Sequence, residues 1–261
     1  MKTATHDAAV LEQYDSRAQA YLASSVHAQG QDLELLASLV GQRPDAVALD
    51  LGCGGGHVAF RLAGLVGKVV ACDLSSAMLE TVAAEARRRG LDNIATKQSA
   101  AEALPCPSAS FDVVATRYSA HHWGDFTAGL AQMARAMKPD GMAVFMDVVS
   151  PGVPLLDTWL QSLELLRDPS HVRNASLAQW QATLSAVGFE VEEVHTYKLR
   201  LAFGPWIERM RTPEVHVAAI RSLQGRASSE VREHFRIEDD GSFTVDTALI
   251  VARKGEALST S

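Results

Sequence analysis

Between about residues 31 and 150, short apolar runs alternate with segments whose apolar positions recur every three to four residues. The runs at 46–51, 68–73, 111–116 and 142–148 are too continuously apolar for a strand with one wet face, and they predict strands buried on both sides. A shorter strand is predicted at 93–97. Leu33, Leu36 and Val40, with Leu35 and Leu39 beside them, mark a helix that stops at Gly41 ahead of Pro44. Further helices are predicted at 57–65 and at 76–89, the second closed by Gly90. Leu130, Met133, Ala134 and Met137 then form an i, i+3, i+4, i+7 stripe, ended by Pro139-Asp140-Gly141. Repeated β–α units of this kind predict an α/β fold built on a doubly wound, mostly parallel sheet.

The rhythm changes after Pro151. Helices are predicted at about 155–166 and 177–187, separated by a polar turn at 168–174. Residues 189–201 and 242–253 read as two more strands, which brings the sheet to seven. The intervening 202–240 is helical and charged, and it contains Trp206, Met210 and Pro213. The expected organisation is an N-terminal helical segment (1–41) and a nucleotide-binding core (42–150). A C-terminal part (151–261) completes the sheet and carries a helical cap at about 151–187 and 202–240.

Composition narrows the function classes. A hydrophobic content of 47% supplies a full core, and a net charge of −7 argues against a dedicated nucleic-acid or anionic-membrane binder. The basic run Arg87-Arg88-Arg89 falls in the last turn of a predicted helix, where cations complement the helix dipole. Residues 1–9 contain no apolar signal region, and no stretch reaches membrane-spanning length. Cys53, Cys72 and Cys106 form no CxxC and no metal spacing. A reduced, cytoplasmic protein is expected, with no inserted membrane segment.

The chemistry enters at Asp50-Leu51-Gly52-Cys53-Gly54-Gly55-Gly56-His57. A strand delivers an acid and then three glycines at alternate positions, and a helix follows. Glycines there admit positive φ and let a ligand approach the backbone, while the helix start offers free N–H groups. A dinucleotide fingerprint needs a small residue where His57 stands, and a pyrophosphate would be repelled by Asp50. A cationic nucleoside such as S-adenosylmethionine (SAM) tolerates that acid. Asp73 ends the second strand about twenty residues past Gly52, where a carboxylate accepts hydrogen bonds from vicinal ribose hydroxyls.

The 50–56 loop resembles motif I of the class I SAM-dependent methyltransferases. Asp73-Leu74-Ser75-Ser76-Ala77-Met78-Leu79, Ala101-Glu102-Ala103-Leu104-Pro105, Phe111-Asp112-Val113-Val114 and Arg135-Ala136-Met137-Lys138-Pro139-Asp140-Gly141 resemble that family's later motifs. Within it, the chain is similar to the ubiquinone/menaquinone-biosynthesis (UbiE-like) group. Arg117-Tyr118-Ser119-Ala120-His121-His122-Trp123 and Ser170-His171-Val172-Arg173-Asn174 look closest to bacterial YafE-like members, a group that implies no settled substrate. The resemblance implies a Rossmann-like fold, SAM as cofactor and methyl transfer. By position, it implies that the backbone of Gly52, Cys53, Gly54 and Gly56 lines the cofactor and that Asp50 holds its amino group. It implies likewise that Asp73 binds the ribose, that Leu74 and Met78 pack near the adenine, and that the Ala101 N–H meets an adenine nitrogen. Ala100 stands where the family often has an acid, which leaves adenine recognition to backbone, Glu102 or water. Asp140 replaces a common glycine, a position where aspartate tolerates a left-handed turn.

The exit of the fourth strand gathers Arg117, Tyr118, His121, His122 and Trp123, where ligands collect in open α/β sheets. His121, nearer the strand end, is the expected base, with Tyr118 beside it; adjacent side chains usually diverge, so the two imidazoles are not paired. His122, Trp123, His171 and Arg173 are expected on the acceptor, Arg173 as a clamp for a carboxylate or phosphate. Tyr14, Arg17 and Tyr21 share a helical face, and Tyr21 is placed at the cofactor. No metal is expected. A small-molecule acceptor is the expected partner, nucleic acid is not, and a homodimer is left open. A non-catalytic SAM sensor and, less favoured, a NAD-dependent oxidoreductase are the alternatives.

Overall fold

A computed structural model describes residues 5–18, 22 and 30–255. Seven strands form one sheet: β1 (Arg43–Leu51), β2 (Val66–Asp73), β3 (Ile94–Gln98), β4 (Phe111–Arg117), β5 (Met137–Val149), β6 (Phe189–Leu201) and β7 (Phe243–Lys254). Their spatial order is β3-β2-β1-β4-β5-β7-β6. The first five run parallel, and β7 inserts antiparallel between β5 and β6.

The continuous apolar runs have the cause expected of them. Neighbouring residues on one strand belong to opposite faces, and both faces are covered. Ala48, Val113 and Val144 sit in one core cluster with Leu36, Leu62 and Val82; Leu49, Val114 and Phe145 sit in the other with Leu130, Met133 and Trp180. The first cluster is closed by α2 (Gln31–Val40), α3 (His57–Ala63) and α4 (Ser76–Arg89), the second by α5 (Phe126–Ala136) and α7 (Leu177–Ala186). Local signals fix the helix ends: Ser75 Oγ accepts the Met78 N–H at 3.1 Å and Gly90 turns left-handed at φ 69°.

Three expectations are corrected. The stripe ending in Met137 stops one residue early, because Met137 pairs with Phe111 and opens β5. Asp140 lies within β5 and is absent from the residues with positive φ; the tight spot is Gly141, where a Cβ would stand 2.5 Å from Met137 Cγ. The predicted cap also divides. The α7 helix covers the sheet through Trp180 and Leu184. The cap cluster joins α6 (Pro154–Arg167), α8 (Phe203–Met210), α9 (Glu214–Gly225) and α10 (Ser229–Phe235) over the outer ends of β6 and β7. Its centre is aromatic: Trp159, Trp206, Phe235 and Phe243 pack with centroids 4.5 to 6.0 Å apart. No helix among the described residues is long and apolar enough to cross a membrane.

Candidate active site

The chain runs from β1 outward to β3 and then returns to β4, so the carboxyl ends of β1 and β4 border a crevice, the usual ligand position in such sheets. That crevice is a cleft of about 1020 Å³. Its floor is the loop after β1, where Gly52, Gly54 and Gly56 take φ of 68°, 47° and 81°. The three glycines do different work. A Cβ on Gly52 would meet Ser119 Oγ at 1.8 Å, and one on Gly56 would meet Val82 Cγ2 at 2.8 Å. These two permit close packing of the loop on β4's exit and of α3 on α4. A Cβ on Gly54 would meet nothing within 4 Å, so Gly54 presents bare backbone to the cleft.

Two carboxyls face this cleft, Asp50 buried and Asp73 partly exposed. Asp50 Oδ2 accepts the Ala59 N–H at 2.9 Å near the start of α3. Burial pushes the Asp50 carboxyl up to about 7, and the nearby Asp73 charge adds to that, against the Ala59 hydrogen bond. Asp73 is likewise raised by burial, against backbone donors; its Oδ2 accepts the Gly54 N–H at 2.8 Å and its Oδ1 the Ser75 N–H at 2.9 Å. Two desolvated acids beside open backbone suit a ligand that brings positive charge and vicinal hydroxyls, and they disfavour a pyrophosphate. Leu74, Met78, Ala101 and Glu102 also line the cleft. Glu102 Oε1 is partly engaged, accepting the Asp125 N–H at 3.1 Å.

Beyond the cleft lies a second cavity of about 570 Å³, beneath the cap. Tyr14, Tyr118 and His122 line both spaces and form the wall between them. Tyr118 takes φ of 50°, an uncommon conformation for a non-glycine residue and one that marks strain at the strand exit.

A short 3₁₀ turn at Ala120–His122 brings together the imidazoles that sequence reasoning kept apart. The His121 and His122 ring centroids are 4.2 Å apart, and His171 stands 5.7 Å from His121. His121 Nδ1 lies 2.6 Å from Asp147 Oδ1. Burial opposes protonation of His121, but the charge and hydrogen bond of Asp147 outweigh it and raise its pKa. His121 lines the second cavity, and its Nε2 has no hydrogen-bond partner among the described residues.

His122 is held neutral: burial and the adjacent His121 push it down to about 3. Its Nδ1–H donates to the Ser170 carbonyl at 3.1 Å, and its Nε2 accepts the Tyr14 hydroxyl at 2.7 Å. The same hydroxyl stands 2.9 Å from Asp168 Oδ2, so one proton serves two acceptors. Tyr14 closes α1 (His6–Tyr14), a helix with no buried residue, and Asp15 Oδ1 accepts the Ser75 hydroxyl at 2.5 Å.

The expected residues distribute as follows. Asp50, Gly52, Cys53, Gly54, Asp73, Leu74, Met78, Ala101 and Glu102 border the cleft, whereas Gly56 does not and acts in packing. Trp123, expected at the acceptor, borders the cleft and donates from Nε1 to Ser119 Oγ at 3.1 Å. His171 donates from Nε2 to Gln161 Oε1 at 2.8 Å and borders neither space. Arg173 borders neither space and pairs with Asp157, half exposed, so the expected clamp is turned to another duty. Arg17 donates to the Met210 carbonyl at 2.8 Å, and Tyr21 lies outside the described residues. Sequence reasoning missed Asp147, Tyr14 as the wall residue, and the cap residues Glu164, Arg167 and Arg209. Only Asp147 carried a signal, as a lone acid in an apolar strand, which must find a partner.

Residues 48–141 match the methyltransferase domain family. The chain is 47% identical over 199 residues to the uncharacterized protein YafE of Escherichia coli, spanning 76% of this chain and 96% of that one. It is 34% identical over 224 residues to the uncharacterized methyltransferase YcgJ of Bacillus subtilis, spanning 86% and 88%. The crystal structure of YcgJ superposes with a TM-score of 0.83, covering 87% of this chain and 99% of YcgJ.

Proposed function

Because this chain belongs to the class I SAM-dependent methyltransferases of the UbiE-like group, we propose that it methylates a small-molecule acceptor bound beneath the cap, with His121 as the base. The observation that carries this reading is the shared wall. An acidic, backbone-lined cleft and a cavity bordered by an imidazole meet at Tyr14, Tyr118 and His122.

The chain's own residues divide the work. Asp50 would hold the cofactor's amino group and Asp73 its ribose hydroxyls. Leu74 and Met78 would flank the adenine, and the Ala101 N–H would meet a ring nitrogen. When bound, SAM supplies a methyl group already activated on a sulfonium. Most of the remaining catalytic task is therefore positioning and the exclusion of water. Asp147 fixes the His121 proton on Nδ1 and leaves the Nε2 lone pair toward the acceptor. His121 Nε2 would take the acceptor's proton, and Tyr118 would orient the acceptor at the wall. His122, neutral and bonded through Nδ1 to Ser170, keeps the wall uncharged.

Calorimetry with S-adenosylhomocysteine tests the cofactor half, with saturable binding expected. A screen of small molecules for S-adenosylhomocysteine release tests the acceptor half. For an acceptor that must lose a proton, His121→Gln should lower kcat about a hundredfold or more with cofactor affinity kept. No cofactor binding, or full activity in His121→Gln with such an acceptor, would refute the assignment.

A further inference from the structure

Resting on the reading that the cavity beneath the cap holds the acceptor, we infer that this acceptor carries a neutral polar group, a hydroxyl or a carboxamide, that hydrogen-bonds to the Asn174 side chain. The group sits on an apolar body, apart from the atom that gives its proton to His121.

Asn174 is 2% exposed and borders the cavity. Its side-chain amide nitrogen is buried with no hydrogen-bond partner, and its Oδ1 has none among the described residues. Its backbone is fully engaged: the N–H donates to Gln161 Oε1 at 3.0 Å and the carbonyl accepts from Gln161 Nε2 at 2.9 Å. Gln161 is itself fixed, because its Oε1 also accepts the His171 Nε2–H at 2.8 Å and its Nε2 also donates to Asp157 Oδ1 at 2.8 Å. The chain just before Asn174 is tied to the base: the Val172 and Arg173 N–H groups donate to the His121 carbonyl at 2.9 and 3.2 Å. A firmly placed carboxamide thus shares the cavity with His121 and keeps both its donors and its acceptor unspent.

Such a side chain calls for a partner that donates and accepts at once. A hydroxyl or an amide does so. A carboxylate only accepts and an ammonium only donates, so either would leave half of Asn174 unmet. Charge does not select the ligand here, because the ionic groups around the cavity answer one another. Arg167 and Arg209 both favour the charged form of Glu164, with Arg167 at 3.5 Å, and Asp147 pairs with His121 at 2.6 Å. Asp168 accepts from the Tyr14 and Ser170 hydroxyls at 2.9 and 2.6 Å. Val148, Leu199, Leu201 and Trp206 complete the lining with apolar surface that accommodates a hydrocarbon or aromatic body.

The test uses the full chain saturated with S-adenosylhomocysteine. Calorimetry compares meta- and para-substituted phenols that differ in one group: carboxamide, hydroxymethyl, methyl, carboxylate or aminomethyl. In the better-bound position, the carboxamide and hydroxymethyl phenols should bind about tenfold more tightly than the methyl phenol. The carboxylate and aminomethyl phenols, both ionised at neutral pH, should bind no better than the methyl phenol. Asn174→Leu should shrink the gap between carboxamide and methyl phenols to about twofold or less, with S-adenosylhomocysteine affinity unchanged as evidence of folding. Asn174→Ala, which adds no bulk, should do the same. A carboxylate or aminomethyl phenol binding as tightly as the carboxamide would overturn the inference, as would a gap that survives both substitutions. Absence of binding by the whole series, in a protein that still binds S-adenosylhomocysteine, would overturn it too. Absence of S-adenosylhomocysteine binding would instead overturn the methyltransferase reading beneath it.

Discussion

Gly52 and Gly54 stand two residues apart in the same loop, yet alanine at each should fail in a different way. Both have positive φ, at 68° and 47°, so each substitution carries the left-handed cost of an L-residue, roughly 1–2 kcal/mol. At Gly52 the new methyl would also lie 1.8 Å from Ser119 Oγ and 2.5 Å from Ser119 Cβ. Ser119 cannot simply rotate away, because its Oγ accepts the Trp123 indole N–H at 3.1 Å. Overpacking of that kind adds about 1–3 kcal/mol, for a total near 3 kcal/mol. At Gly54 the methyl would meet no protein atom within 4 Å and would protrude into the cleft. Gly54→Ala should therefore cost about 1 kcal/mol of stability but at least tenfold in S-adenosylhomocysteine affinity. Gly64, with φ of −79° and open space around its Cβ position, is the control, and its alanine variant should stay within about 0.5 kcal/mol of the parent. Urea unfolding gives the stabilities and calorimetry the affinities. Equal destabilisation at Gly52 and Gly54, or unchanged affinity in Gly54→Ala, would refute the argument that one glycine packs and the other admits the ligand.

Three further outcomes follow from the electrostatics. With His121 as base and its pKa raised by Asp147, kcat/KM for a proton-bearing acceptor should climb with pH through a midpoint above 6.5, and Asp147→Asn should move that midpoint lower. His122 and His171 are both pushed down to about 3 by burial and by His121. Each is neutral in the fold yet takes a proton near 6.5 when unfolded, so their contribution is complete above pH 6.5 and is lost as pH falls toward 3. Denaturant melts from pH 7.5 to 5 should show that loss, and His171→Gln should flatten it. Arg117 pairs with Asp32 through Nε at 2.5 Å and Nη2 at 3.1 Å, both side chains buried. Asp32→Asn should cost about 3 kcal/mol in urea unfolding, and Asp32→Asn with Arg117→Met should recover part of it; a double variant worse than the sum would contradict the pairing.

The parts legible in the sequence are those whose cause is local. Apolar runs such as 111–116 must be buried on both faces, and they became central strands of the sheet. The acid–glycine loop and Asp73 announce a cofactor cleft because φ and charge are properties of the residues themselves. What stayed hidden depends on tertiary approach. A 3₁₀ turn turns two adjacent imidazoles toward each other, which no rule of alternation foretells. Arg167 and Arg209 occupy polar positions of amphipathic helices and read as surface until the cap folds over β6. The 177–186 helix has the same stripe whether it covers a sheet or a cap, and only Trp180 meeting Phe126 and Phe145 decides the matter.

With the cofactor's amino group on Asp50 as proposed, the raised carboxyl, pushed up to about 7 by burial, would tie cofactor capture to the proton concentration of the medium. At pH 7 a substantial share of ligand-free molecules carries a proton there. A cation seated beside Asp50 favours the ionised form, so capture expels that proton into the buffer. Apparent enthalpies should then vary with the ionisation heat of the buffer, and affinity should strengthen with rising pH until the carboxyl is fully ionised. On that assignment, the acid at the end of β1 acts as a thermodynamic valve: molecules that carry the proton exchange it for the ligand's positive charge as they load.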